Sequence, residues 1–153
     1  MSKGITFDTK NGSGLKIGIV VARWNSEITF ALRDGCVQAL TDAGVERGTI
    51  DIREVPGSYE VVYGAKLLIE QGADAVVTIG CLIKGETMHF EYICEAVTQG
   101  IMRLNVEKST PVIFGVLACL SEEQAIARST GENNHGYGWG QSAVEMALLK
   151  KER

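Results

Sequence analysis

A single α/β domain built around a parallel sheet is what the sequence predicts, and three observations carry that prediction. Short, β-branched apolar runs recur at regular intervals, and three of the four are apolar almost throughout, as strands buried on both faces are. Segments with helical spacing separate them, and strands alternating with helices indicate a parallel sheet covered on both sides. The chain has 153 residues, which favours one domain large enough to enclose a core.

In chain order, the N-terminal "GITFD" predicts an extra edge strand within an arm over residues 1–14, and the main domain occupies 15–153. "LKIGIVVARW" (15–24) is the first strand of that domain. "SEITFALRDGCVQALTDAG" follows as a helix, with Ser26 as its N-cap, Ile28, Leu32, Cys36 and Leu40 on one face, and Gly44 as its stop. "TIDIREVPG" (49–57) is the second strand, and "SYEVVYGAKLLIEQG" a helix that ends at Gly72, although its Val-Val-Tyr start is weakly helical. "DAVVTIGCLI" (74–83) is the third strand. "MHFEYICEAVTQGIMRLN" then places Tyr92, Ile93, Ala96, Val97 and Ile101 on a core-facing helical stripe. After the fourth strand, "TPVIFGVLAC" (110–119), two helices close the chain, "SEEQAIARS" and "QSAVEMALLKKER". Ser121 with Gln124 three positions on reads as a capping box for the first of them. The glycine-rich "GENNHGYGWG" (131–140) is too irregular for a phosphate loop and reads as a flexible connection.

Composition removes several functions. A net charge of −4 without a Lys/Arg cluster leaves no electrostatic footprint for nucleic acid. No apolar run reaches the ~18 residues of a membrane span, and "MSKGITFDTKNGSG" has no signal-peptide apolar stretch. Cys36, Cys81, Cys94 and Cys119 show no C-x-x-C spacing and read mainly as buried free thiols of a cytoplasmic protein, which leaves the sequon at Asn11 idle. Two histidines far apart and no clustered thiols give no zinc signature, so no metal is expected.

Open α/β sheets bind ligands beyond the carboxyl ends of their strands. Those ends read Arg23-Trp24-Asn25, Pro56 through Glu60, Gly80 through His89, and Phe114 onward, and are expected to converge on one rim. Gly85-Glu86-Thr87 ahead of a helix offers free N–H groups at a positive helix end, a place for an anion. The plainer alternative is that Thr87 caps its own helix. His89 in the first turn suits proton transfer near neutral pH, against the commoner structural histidine. Arg128 suits a bidentate grip on a phosphate, against a solvated surface charge. Trp24 offers a ring face for a flat heterocycle, against ordinary core packing. These residues define a small α/β protein with an anion site and no particular reaction.

The ordered set is more specific than its members. "ARWN" (22–25), "VPGSYEV" (55–61), "GCLIKGETMHFEYI" (80–93), "PVIFGVL" (111–117), "EEQAIAR" (122–128) and "NHGYGWGQSAVEMA" (134–147) together resemble the lumazine synthase family, from Lys16 to Lys150. The resemblance implies a flavodoxin-like fold with a four-stranded parallel sheet flanked by helices, and an N-terminal strand joining a neighbouring subunit's sheet. It implies an enzyme of the penultimate step of riboflavin biosynthesis, needing no metal or organic cofactor. Its substrates would be 5-amino-6-(D-ribitylamino)uracil and 3,4-dihydroxy-2-butanone 4-phosphate, and its functional partner riboflavin synthase.

By position, the resemblance implies that Trp24 stacks on the pyrimidine with Asn25 beside it, and that Ser58, Tyr59 and Glu60 line the pyrimidine and ribityl site. Cys81, Leu82 and Ile83 would meet the pyrimidine edge through main-chain groups, and Phe114 would be a wall lent by an adjacent subunit. Glu86 and Thr87 would hold the phosphate with a neighbour's Arg128, His89 would be the general acid/base, and His135 would stand near the site. Trp24 and the N-H-G-x-x-W-G pattern are more like fungal members, some of which hold riboflavin, than like the many bacterial members with Phe and Lys at positions 24 and 135. The resemblance implies a homopentamer; the short Arg128–Asn134 link, which lacks the insertion of members that stop at the pentamer, points on to a shell of sixty chains, whereas Trp24 and "NHGYGWG" resemble members that stop at the free pentamer. An archaeal-type riboflavin synthase, or a flavin carrier without catalysis, are the alternatives.

Overall fold

In the computed structural model, which describes residues 4–152, the run IGIVVA forms strand β1 (Ile17–Ala22), buried at every position. Its place explains the burial. The sheet has the order β2-β1-β3-β4, with every pairing parallel, so β1 and β3 (Ala75–Ile83) are its central strands. Parallel neighbours are joined by crossover helices that cover both faces, so central strands carry no polar side. At one edge β2 (Ile50–Val55) exposes Asp51, Arg53 and Glu54, and the other edge is β4 (Val112–Cys119). From β1 the chain moves out to β2 and then crosses to β3 on the other side. The crevice between β1 and β3 is therefore the switch point where such sheets bind ligands.

Two cores flank the sheet. Ile19 and Val21 of β1 pack with Ile28, Leu32, Cys36 and Leu40 of α1 (Ser26–Asp42) and with Ala143, Val144 and Ala147 of α5 (His135–Lys151). Val20 and Ala22 point the other way, as alternate strand positions must, and join Val61, Ala65 and Leu68 of α2 (Val61–Glu70) and Val97, Ile101 and Leu104 of α3 (His89–Lys108). The short helix α4 (Glu122–Ala127) contributes Ala125 to the first core. Among the described residues no helix is long and apolar enough to cross a membrane.

Four expectations need correction. The residue that enters α1 is Asn25, not Ser26, and it holds φ 60°. The chain must reverse sharply on leaving β1, and Asn tolerates the left-handed region better than most side chains. On α3 the buried line is Val97, Ile101 and Leu104, with Ile93 half-buried, whereas Tyr92 (67% exposed) and Ala96 face outward. Spacing of 3.6 places those two a step round from the core line.

The "flexible" stretch is the opposite of flexible: His135 through Gly140 form the first turns of α5. A Cβ on Gly136 would run into the Leu32 carbonyl of α1, and one on Gly140 would stand 2.7 Å from the Cys36 carbonyl and 2.8 Å from Ala39 Cβ. These glycines let two helices touch backbone to backbone, with Asn134 Oδ1 capping α5 at Gly136 N–H, 2.8 Å away.

Finally, residues 4–8 form no strand, while Met1 through Lys3 of the expected arm lie outside the described residues. Gly12 N–H donates to Ala43 C=O at 2.7 Å, which leads the arm along the helices beside Asp42 and Tyr137 instead of along an edge of this chain's own sheet.

Candidate active site

A cavity of about 730 Å³ opens beyond the carboxyl ends of β1 and β3, within the usual range for a small-molecule site. Its first wall comes from the turn after β1. Arg23 and Trp24 N–H donate to Val55 and Pro56 C=O at 2.8 and 3.0 Å, extending the ladder past the strand ends. Asn25 then reverses the chain and donates its side-chain amide to Cys81 C=O at 3.0 Å, tying this turn to β3. Trp24 is left 74% exposed at the cavity, which removes core packing as its role.

The second wall is the 3-10 turn Ser58–Glu60. Ser58 is buried because it lies directly on Gly80 of β3, where a Cβ would collide with its hydroxyl. Glu60 Oε1 accepts from Gly57 N–H at 2.9 Å, which fixes the turn and aims the carboxyl group into the cavity's wall. Tyr59 stays exposed beside it. Cys81, Leu82 and Ile83 form the floor. Burial pushes the Cys81 thiol up to about 12, with Cys119 and Glu122 adding to the shift, so it is a neutral group and not a nucleophile.

The third wall is the start of α3. His89 is its first residue, exposed and in the cavity lining with Thr87. Thr87 Oγ1 accepts from His89 N–H at a long 3.4 Å, so a weak form of the capping alternative holds alongside the open helix end. The remaining N–H groups of the first turn have no partner within the helix, and a twenty-residue helix places its positive end there.

Ten of the anticipated residues thus line one cavity: Trp24, Asn25, Ser58, Tyr59, Glu60, Cys81, Leu82, Ile83, Thr87 and His89. Glu86 is exposed on the same loop without lining it. Phe114, expected at a strand end, is not at one. It pairs with Thr78 in mid-β4, because β4 continues to Cys119. Arg128 sits at the end of α4 with Nη1 donating to Gln124 C=O at 2.9 Å, and its own C=O accepts from His135 N–H at 2.8 Å. The His135 ring meets Trp139 edge-on at 6.3 Å, and burial, then Arg128, holds its pKa below the usual histidine value. Neither Arg128 nor His135 lines the cavity, and among the described residues no Lys or Arg does.

Three lining residues escape the sequence reading: Phe90, Tyr92 and Ile93. The helical pattern assigns Tyr92 and Ile93 together to the core, although one helix cannot bury adjacent positions equally well. Among the described residues no group of three or more His, Cys, Asp or Glu side chains is placed to hold a metal ion.

These features define a class: open parallel α/β enzymes that hold a small molecule at the switch point, here between an exposed indole and a helix end carrying an imidazole. Comparison with known proteins narrows it. The family model for 6,7-dimethyl-8-ribityllumazine synthase matches residues 14–151. A relative of that name from Flavobacterium psychrophilum is 48% identical over 93% of this chain and 76% of its own length. Another of the same name, from Schizosaccharomyces pombe, is 46% identical over 95% of this chain and 94% of its own length. The chain belongs to the 6,7-dimethyl-8-ribityllumazine synthase family, whose members are transferases of riboflavin biosynthesis.

Proposed function

We propose that the chain condenses 5-amino-6-(D-ribitylamino)uracil with 3,4-dihydroxy-2-butanone 4-phosphate, giving 6,7-dimethyl-8-ribityllumazine, water and inorganic phosphate. The observation that carries this reading is that Trp24 and His89 line one cavity of about 730 Å³ in a chain of this family. The flat pyrimidine stacks on the exposed indole, with Asn25 at its edge and the main chain of Cys81 through Ile83 beneath. Ser58, Tyr59 and Glu60 receive the ribityl chain, and Glu60 keeps one carboxylate oxygen free of the Gly57 contact to accept a hydroxyl.

The phosphate of the second substrate sits at the N–H groups of Glu86 and Thr87 and at the Thr87 hydroxyl, at the positive end of α3. There its ketone lies over the cavity, where the pyrimidine's amine attacks it and water departs. Phosphate then leaves by β-elimination, and proton shifts precede ring closure with loss of further water. His89, in the first turn of the same helix, takes and returns those protons. Holding amine and ketone together supplies much of the acceleration. No cofactor enters this scheme.

Phosphate release leaves charge that one chain's cavity does not balance, since no Lys or Arg among the described residues lines it. Arg128 and Phe114 are therefore assigned to the cavity of an adjacent copy, and a homopentamer is the closed ring that shares sites in this way. His135, beside Arg128, contributes at that same junction. The short turn from Arg128 to Asn134 favours rings that go on to a shell of sixty chains. Cytoplasmic action, upstream of a riboflavin synthase that consumes the lumazine, accords with four unbridged cysteines.

The test is to supply both substrates, then each alone, and to identify the product by mass and fluorescence. Lumazine with one phosphate per molecule, formed only from the pair, supports the reading. Riboflavin formed from added lumazine would refute it in favour of a synthase of the next step.

A further inference from the structure

Between β3 and α3 the chain runs through Lys84-Gly85-Glu86-Thr87-Met88, exposed at each of these positions. Little backbone bonding holds it. Lys84 N–H donates to Cys119 C=O at 2.9 Å, Met88 C=O accepts from Tyr92 N–H at 3.2 Å, and His89 N–H reaches Thr87 Oγ1 only at 3.4 Å. An exposed loop tied this sparsely does not by itself keep its N–H groups convergent on an anion.

One contact spans it from end to end. The Lys84 ammonium stands 3.4 Å from Oε1 of Glu91, in the first turn of α3. That oxygen is shielded from solvent and accepts no hydrogen bond, so the ammonium compensates it through charge and not through an aligned hydrogen bond. Glu91 complements the positive helix end through its charge and not as a cap, since its shielded oxygen accepts no N–H and the side-chain bond at this end is the long one to Thr87. His89, Phe90, Tyr92 and Ile93 all line the cavity, and Glu91 among them does not. Lys84 likewise stays out of the lining between Ile83 and Gly85, which belong to it.

We propose that Lys84 and Glu91 form a strap closing the 84–88 loop onto α3, and are thereby positioning residues for phosphate binding and for His89. The proposal rests on the reaction proposed above. It carries a specific asymmetry, because the two partners are buried to different extents: 49% of the Lys84 side chain is exposed against 31% of the Glu91 side chain. Losing the lysine strands a shielded carboxylate oxygen, whereas losing the carboxylate charge leaves an ammonium that water solvates. Lys84→Ala is thus the more harmful change, and adding Glu91→Gln to it recovers function. Were Lys84 itself the phosphate's countercharge, the second substitution would recover nothing.

The experiment measures steady-state kinetics, inhibition and direct binding by inorganic phosphate, and melting for the full chain and four variants. Lys84→Ala should raise KM for the butanone phosphate and weaken inorganic phosphate about 5- to 10-fold, with KM for the pyrimidine nearly unchanged. Lys84→Arg should stay near wild type, Glu91→Gln should lose about twofold, and Lys84→Ala/Glu91→Gln should return to within about threefold of wild type. A double variant no better than Lys84→Ala, or a Lys84→Ala with wild-type phosphate constants, overturns the strap. If the wild type makes no lumazine, the reaction fails on its own, and the same ordering in phosphate binding still supports the strap. A wild type that binds no inorganic phosphate overturns it.

Discussion

Gly80→Ala probes how the site's second wall is built. The new Cβ would overlap the Ser58 hydroxyl, and it would also stand 3.1 Å from Ser58 Cβ and 3.4 Å from Ser58 Cα. Turning the hydroxyl away removes only the first conflict. The backbone of the 58–60 turn must therefore shift by a few tenths of an ångström, and that turn carries Tyr59 and Glu60. Overpacking a well-filled site costs about 1–3 kcal/mol. For a domain of this size that corresponds to a fall in Tm of roughly 3–10 °C. Displacing the ribityl wall should raise KM for the pyrimidine by roughly tenfold, since a 1 Å misplacement can cost more than that. Gly48→Ala, with open space around its Cβ position, is the control and should melt with the wild type. Ser58→Gly added to Gly80→Ala should recover most of the lost Tm, because it removes the two close side-chain contacts and leaves the Cα at position 58 at an ordinary van der Waals distance of 3.4 Å. Calorimetry and kinetics together decide it: unchanged Tm and KM in Gly80→Ala would refute the packing argument.

Arg128→Ala should raise KM for the butanone phosphate by roughly 10- to 100-fold, the loss of a charge-assisted contact. If Arg128 serves an adjacent copy, then chains carrying Arg128→Ala and chains carrying His89→Ala, reassembled in equal amounts, should regain about a quarter of wild-type activity in a closed ring. A mixture no more active than its components would place both residues in one chain's site. A second prediction follows from Tyr137, whose hydroxyl donates to Asp42 at 2.7 Å and, with Gln38, holds that carboxyl below its ordinary value. A depressed folded-state pKa adds stability above the unfolded value, and that stability is lost as pH falls through the folded one. The Tm advantage of wild type over Tyr137→Phe should therefore be present at pH 7 and shrink below about pH 4. An advantage that stays constant down to about pH 2.5 would contradict the assignment.

Most of the fold was legible because two periodicities state it. Runs such as IGIVVA, apolar at every position, belong only where both sheet faces are covered, and the line Ile28, Leu32, Cys36, Leu40 has one buried solution. The cavity was legible to the extent that it lies at strand ends, since Trp24, Ser58 through Glu60, Cys81 through Ile83, Thr87 and His89 come straight from those positions. What stayed hidden depends on packing between distant segments. Gly136 and Gly140 look like loop residues until α1 is laid against them, and Gly80 acquires its role only when Ser58 is packed on it. Phe114 was misplaced because an apolar run does not say where along it the sheet ends. The Lys84–Glu91 pair also joins residues whose charges, read in sequence, belong to any solvated surface.

The claim at the centre is that His89, at the head of α3, moves protons in a lumazine-forming cavity. Initial rates of lumazine fluorescence and phosphate release, measured side by side for wild type and His89→Ala across neutral pH, test it most directly. The wild type should release phosphate in step with lumazine. The variant should melt at the same temperature and turn over about tenfold slower or worse, at the lower end of what acid/base help gives because proximity survives. Equal turnover in both proteins would make His89 structural and contradict the account.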